Sequence, residues 1–84
     1  MGQKSKLIEA IRNNPKDVSF DDACKVAEWL GFTHKNRGGT SHRVFAKLGE
    51  PTQLNFQNKQ GKIVTYQAKQ LIAMIDQYWE ASDD

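Results

Sequence analysis

The sequence predicts an α+β domain of order α-α-β-β-β-α, a three-stranded antiparallel sheet with its helices on one face. Three observations lead there. Apolar residues recur at helical spacing up to about residue 30, at a spacing near two through the middle, and at helical spacing again after residue 65. The segments joining the extended stretches are short and rich in turn residues, which suits a meander of antiparallel neighbours. At 84 residues the chain is expected to be a single domain over 1–84, with a short helix over 4–13 and a frayed, flexible tail over 80–84.

Leu7, Ile8 and Ile11 make one apolar stripe of the first helix, and Asn13, Asn14 and Pro15 end it. Ser19 is placed to cap the second helix, with Asp21 and Asp22 in the first turn where the helix dipole favours acids. Phe20, Ala23, Val26, Ala27 and Leu30 form its buried stripe, flanked by Cys24 and Trp29, and Gly31 suits the position after the last turn. Phe32 to Asn36, His42 to Lys47 and Thr52 to Gln57 read as three strands. Their turns are centred on Arg37-Gly38-Gly39 and on Leu48-Gly49-Glu50-Pro51. Thr65 is the expected cap of the third helix, whose stripe is Ala68, Leu71, Ile72, Ile75, Tyr78 and Trp79.

Strand parity then divides the sheet. With Phe32, Leu54 and Phe56 toward the helices, Thr33, Lys35, Arg37, Gln53, Asn55 and Gln57 point to an open face. For the second strand, Val44 and Ala46 inward would put Arg43, Phe45 and Lys47 outward, and a bulge near the glycines would reverse that assignment.

Composition narrows the function. No apolar run approaches the roughly 20 residues of a membrane span. The opening MGQKSKLIEA has no apolar stretch after its basic residues, so no signal peptide is read there, and Lys6 stands where a myristoylation pattern wants Ser or Thr. The single cysteine excludes an internal disulfide, and one cysteine with two histidines is too few for a structural zinc site. A cytoplasmic protein without metal or organic cofactor is expected. Net charge is only +2, but residues 31–75 carry seven basic side chains against Glu50 alone, and the flanks are acidic. Such a patch is either a phosphate footprint or a solvated lysine-rich surface.

One stretch concentrates chemistry. Residues 38–45, GGTSHRVF, deliver His42 after two glycines and two hydroxyl residues to the start of a strand. Imidazole is the side chain suited to moving protons near pH 7. His34, the second histidine, shares parity with Phe32 and reads as packed or at the rim.

These residues carry a family resemblance. SHRVF is similar to the Gly-Ser-His-His-x-Phe-like motif of the HicA toxins of bacterial toxin–antitoxin systems. KLIEAIRNNPKDVSFDDACKVAEWLGF resembles the helical lead-in of the longer HicA-type proteins, and IVTYQAKQLIAMID the family's closing helix. The chain departs from the motif at Thr40, where glycine is usual, and has Arg43 after the histidine. The resemblance implies a double-stranded-RNA-binding-domain-like fold, endoribonuclease (mRNA interferase) activity on mRNA, and neutralisation by a HicB-like antitoxin. It implies His42 as the catalytic histidine and Ser41 as its preceding serine. Around them, Gly39 backbone N–H groups, Ser41, Lys35, Arg37, Arg43 and Lys47 are the expected RNA or phosphate contacts, with no metal. The antitoxin is expected to cover the basic region of Lys35, Arg37, Arg43 and Lys47. A non-catalytic RNA-binding module or a protein-interaction domain of the same architecture is the alternative.

Overall fold

The computed structural model describes residues 3–35 and 42–79. Their order is α1 (Gln3–Asn13), α2 (Phe20–Trp29), β1 (Thr33–His34), β2 (His42–Ala46), β3 (Leu54–Gln57) and α3 (Thr65–Tyr78). The strands form an antiparallel sheet of order β1-β2-β3. This is the α-α-β-β-β-α arrangement the periodicity predicts, with shorter strands. The expected tail over 80–84 lies outside the described residues.

The helices form where local chemistry starts and stops them. Ile8 and Ile11 of α1 are buried, and Arg12 in its last turn pairs with Asp76 of α3 at 2.5 Å. Both partners are exposed, so the pair adds little stability. Ser19 caps α2, its Oγ accepting from the Asp22 N–H at 3.3 Å. At the other end Gly31 takes φ +95°, Gly31 N–H donates to Glu28 C=O at 3.0 Å and Phe32 N–H to Ala27 C=O at 3.1 Å. This is a Schellman closure, and it drops Phe32 into the core. The positive φ is what calls for glycine here; a Cβ on residue 31 would meet only the mobile end of Lys47, Nζ at 2.6 Å, which can swing aside.

α3 departs from expectation at its start. Val64 is the N-cap residue and provides no side-chain bond, while Thr65 is already helical. Gln67 in the first turn instead accepts from the Gln57 N–H at 3.0 Å, tying α3 to β3. Met74 joins Ala68, Leu71 and Ile75 in the buried stripe, and Ile72, Tyr78 and Trp79 pack at its margin.

A small hairpin precedes α3. Lys59 and Lys62 exchange backbone bonds of 2.8 and 3.2 Å around Gln60 (φ 57°) and Gly61 (φ 87°), the positive pair a type I′ turn requires. Its far side docks on the start of α2 through Phe20 N–H to Gly61 C=O at 2.9 Å and Ile63 N–H to Val18 C=O at 3.0 Å.

The core lies between the helices and one sheet face. Phe32, Phe45, Leu54, Phe56, Leu71 and Ile75 are its largest enclosed side chains. Here the conditional parity of β2 is corrected: Phe45 is 1% exposed and points at the helices, opposite Leu54. Arg43, opposite Phe56, and Lys47 follow it, leaving His42, Val44 and Ala46 on the open face. Burying one phenylalanine removes more apolar surface from water than burying Val44 and Ala46, which are both half-buried where they lie.

The β2–β3 turn closes through Glu50 N–H to Lys47 C=O at 3.0 Å, with Gly49 at φ +87°. Glu50 then accepts from the Tyr78 hydroxyl, from Gln77 Nε2 at 3.3 Å and from Thr52 N–H at 2.9 Å. The tyrosine bond first, then the Thr52 amide, holds the Glu50 carboxyl below its ordinary 4.5. A carboxyl depressed in the folded state adds stability that is present above its unfolded value and is lost as pH falls through the folded one. Tyr78→Phe is therefore expected to lower the unfolding temperature at neutral pH and to flatten its decline below pH 4.5. Thermal melts of both proteins across pH 2.5–7 check this; parallel curves would mean that the bond adds nothing.

Candidate functional site

His42 opens β2 and is exposed on the sheet face that none of the described helices covers. Its position follows from Phe45. Once that ring is buried, alternation along β2 sends residue 42 the other way. Gln57 of β3 stands directly opposite. The Gln57 N–H points outward to Gln67, so His42 and Gln57 form a non-hydrogen-bonded pair, with Cα atoms about 4.5 Å apart and side chains on the same face. The next pair along that face is Val44 with Asn55. Lys35 extends the same row from the other side, its N–H donating to Val44 C=O at 2.7 Å, and its side chain is exposed. One face therefore brings together His42, Gln57, Asn55 and Lys35.

Arg43 and Lys47 do not join them, which corrects the outward orientation considered for both. Arg43 lies over the Phe20 ring, 5.4 Å from its centroid, on the side of the sheet that faces Cys24. Burial raises the Cys24 pKa, and the Arg43 charge partly opposes that shift. Lys47 lies 4.9 Å over the Tyr78 ring, beside Gly31. Both aliphatic stems run along the helix side while their charged ends reach its rim. The basic region is thus split between two faces.

His34 is packed against the core. It pairs with Phe45 and stacks on that ring at 5.4 Å and 29°, and its enclosed Nε2 has no hydrogen-bond partner among the described residues. The sheet separates the two histidines, so they do not converge on one substrate. Arg37, Gly39 and Ser41 fall within 36–41, outside the described residues, as do Gly38 and Thr40. Among the described residues no group of three or more His, Cys, Asp or Glu side chains is arranged to hold a metal ion, and no helix is long and apolar enough to cross a membrane.

Asn55 and Gln57 belong to this face and were not candidates from sequence. Their alternation with Leu54 and Phe56 showed which way they point. Only the strand register shows that they stand beside His42. Compared with protein-family models, curated proteins and solved structures, the chain matches none.

Proposed function

We propose that this protein is the toxin of a HicA/HicB-type system, a cytoplasmic endoribonuclease that cuts mRNA without a metal and is held inactive by a HicB-like antitoxin. The observation that carries the reading is the placement of His42 of the SHRVF segment: exposed, on the face of the antiparallel sheet turned away from the described helices, in the row next to Lys35. An extended polymer can lie across such a face.

RNA carries its own nucleophile. The 2′-hydroxyl oxygen attacks the adjacent phosphorus, its proton passes to His42, and the P–O5′ bond breaks. The products are a 2′,3′-cyclic phosphate and a 5′-hydroxyl whose proton comes from water. General-base help of this kind is worth about 10²–10⁴-fold. Lys35, Arg37, the Gly39 backbone and Ser41 are the groups assigned to the phosphate, where fixed donors offset the developing charge. Arg43 and Lys47 are assigned to holding the sheet on the helices. The antitoxin covers the His42 face.

Purified protein is expected to cleave RNA in EDTA and to leave cyclic-phosphate or 3′-phosphate ends, read by mass spectrometry of the fragments. A strict requirement for a divalent ion in the chemical step would sink this mechanism. A non-catalytic RNA-binding module is favoured by one observation, the packing of His34 away from His42, which leaves one histidine on the face. The same assay separates the two, since that module binds RNA and leaves it whole.

A further inference from the structure

The open face differs from the basic platform expected of it. With Arg43 and Lys47 on the helix side, the strand residues shown to share the face are His42, Val44 and Ala46 of β2, Asn55 and Gln57 of β3, and Thr33 of β1, with Lys35 just beyond β1. None is acidic, and Lys35 is the one formal cation among them. Two carboxamides on one strand, two residues apart and each beside a β2 residue, are a poor grip for phosphate. They are well suited to nucleobase edges, since a carboxamide offers a donor and an acceptor side by side.

Their positions are firm. Asn55 and Gln57 alternate with Leu54 and Phe56, both fully buried, so neither can turn inward without exposing a core residue. Gln57 is also fixed from behind, its N–H held by Gln67 of α3 at 3.0 Å. Both face β2 as non-hydrogen-bonded pairs, the closer of the two antiparallel spacings, so the Gln57 amide stands against His42 and the Asn55 amide one strand further from Lys35. Successive residues on one face are about 7 Å apart along a strand, close to the reach of one extended nucleotide.

We infer that Asn55 and Gln57 are the sequence-reading residues of this face, binding the base edges of single-stranded RNA beside His42 while Lys35 takes a neighbouring phosphate. This rests on the proposed ribonuclease reading and names its specificity determinant. Single strands are the expected form, because unpaired bases expose the edges that such side chains read. The charge balance agrees: a cation on a face without strand acids accepts a polyanion.

The test uses the full chain carrying His42→Ala, so that RNA survives, and a set of fluorescent single-stranded RNA heptamers of defined sequence. The parent is expected to favour some heptamers over others. Adding Asn55→Ala or Gln57→Ala should shrink the ratio between best and worst heptamer by about 10-fold or more, with the dependence on salt unchanged. Adding Lys35→Ala should weaken all heptamers alike and reduce the salt slope by about 0.7. Melting temperatures confirm that each variant is folded. An unchanged preference in both folded amide variants overturns the inference and leaves the ribonuclease reading standing. Absence of binding to any heptamer overturns both.

Discussion

Replacing His42 by alanine is expected to abolish RNA cleavage and toxicity while leaving the fold intact. The side chain is exposed at the first residue of β2, and the hydrophobic core lies on the far side of the sheet, so truncation leaves the core untouched. What it removes is the one described imidazole on the open face. His34 cannot substitute, because it is stacked on Phe45 on the helix side. The loss should reach about 10²–10⁴-fold in the cleavage rate, the range for a general acid–base group. Single-turnover cleavage of a defined RNA, with circular dichroism and a melt as fold controls, measures it. The variant should also reach higher expression without its antitoxin. Full activity in a folded His42→Ala protein removes His42 from the chemistry and with it the proposed mechanism.

The largest effect on stability should come from Phe56→Ala. Phe56 is fully buried in the middle of β3, and its ring lies 5.9 Å from that of Phe45. Removing a phenylalanine ring from such a site costs about 3–5 kcal/mol, against total stabilities of about 5–15 kcal/mol for natural domains. The thermal midpoint should fall by more than about 10 °C. Asn55→Ala, one residue away on the opposite face, should change stability by no more than about 0.5 kcal/mol. Denaturant melts of the pair check both sides of the sheet at once. Similar losses in both would mean that helices do not cover the Phe56 face alone.

The helices were legible because their evidence is local. The α2 stripe, the Ser19 cap and the Gly31 stop all lie within a dozen residues, and the structure keeps each of them. The face of β2 was not legible for a specific reason. Val44, Phe45 and Ala46 are three apolar residues in succession, so alternation along the strand leaves both parities open. What decides between them is register with Leu54 and Phe56, a contact across a turn. Charge misleads at the same place. Arg43 and Lys47 lie on the inward side and carry their charges to its edge over Phe20 and Tyr78, so a basic residue does not mark the outward face. The docking of the Lys59–Lys62 hairpin on Val18 and Phe20 is long-range and leaves no local trace. His42 stood out from its own segment, whereas Gln57 became visible only through its partner.

The bond between Gln67 and the Gln57 N–H also bears on how the sheet ends. Outer strands carry unpaired backbone groups that invite a further strand, the usual route to edge-on aggregation and domain swapping. On the β3 rim one outward donor is already taken by a side chain from α3. On the opposite rim, β1 has only two residues, and the Thr33 hydroxyl turns back to Ala46 C=O at 3.3 Å. Among the described residues neither border presents a long run of open backbone to template another chain. On the proposed reading, a toxin produced beside its antitoxin needs a surface that can be covered and uncovered without becoming a seed for fibres. That reading gives the part to the broad side of the sheet, while its described rims are short or occupied.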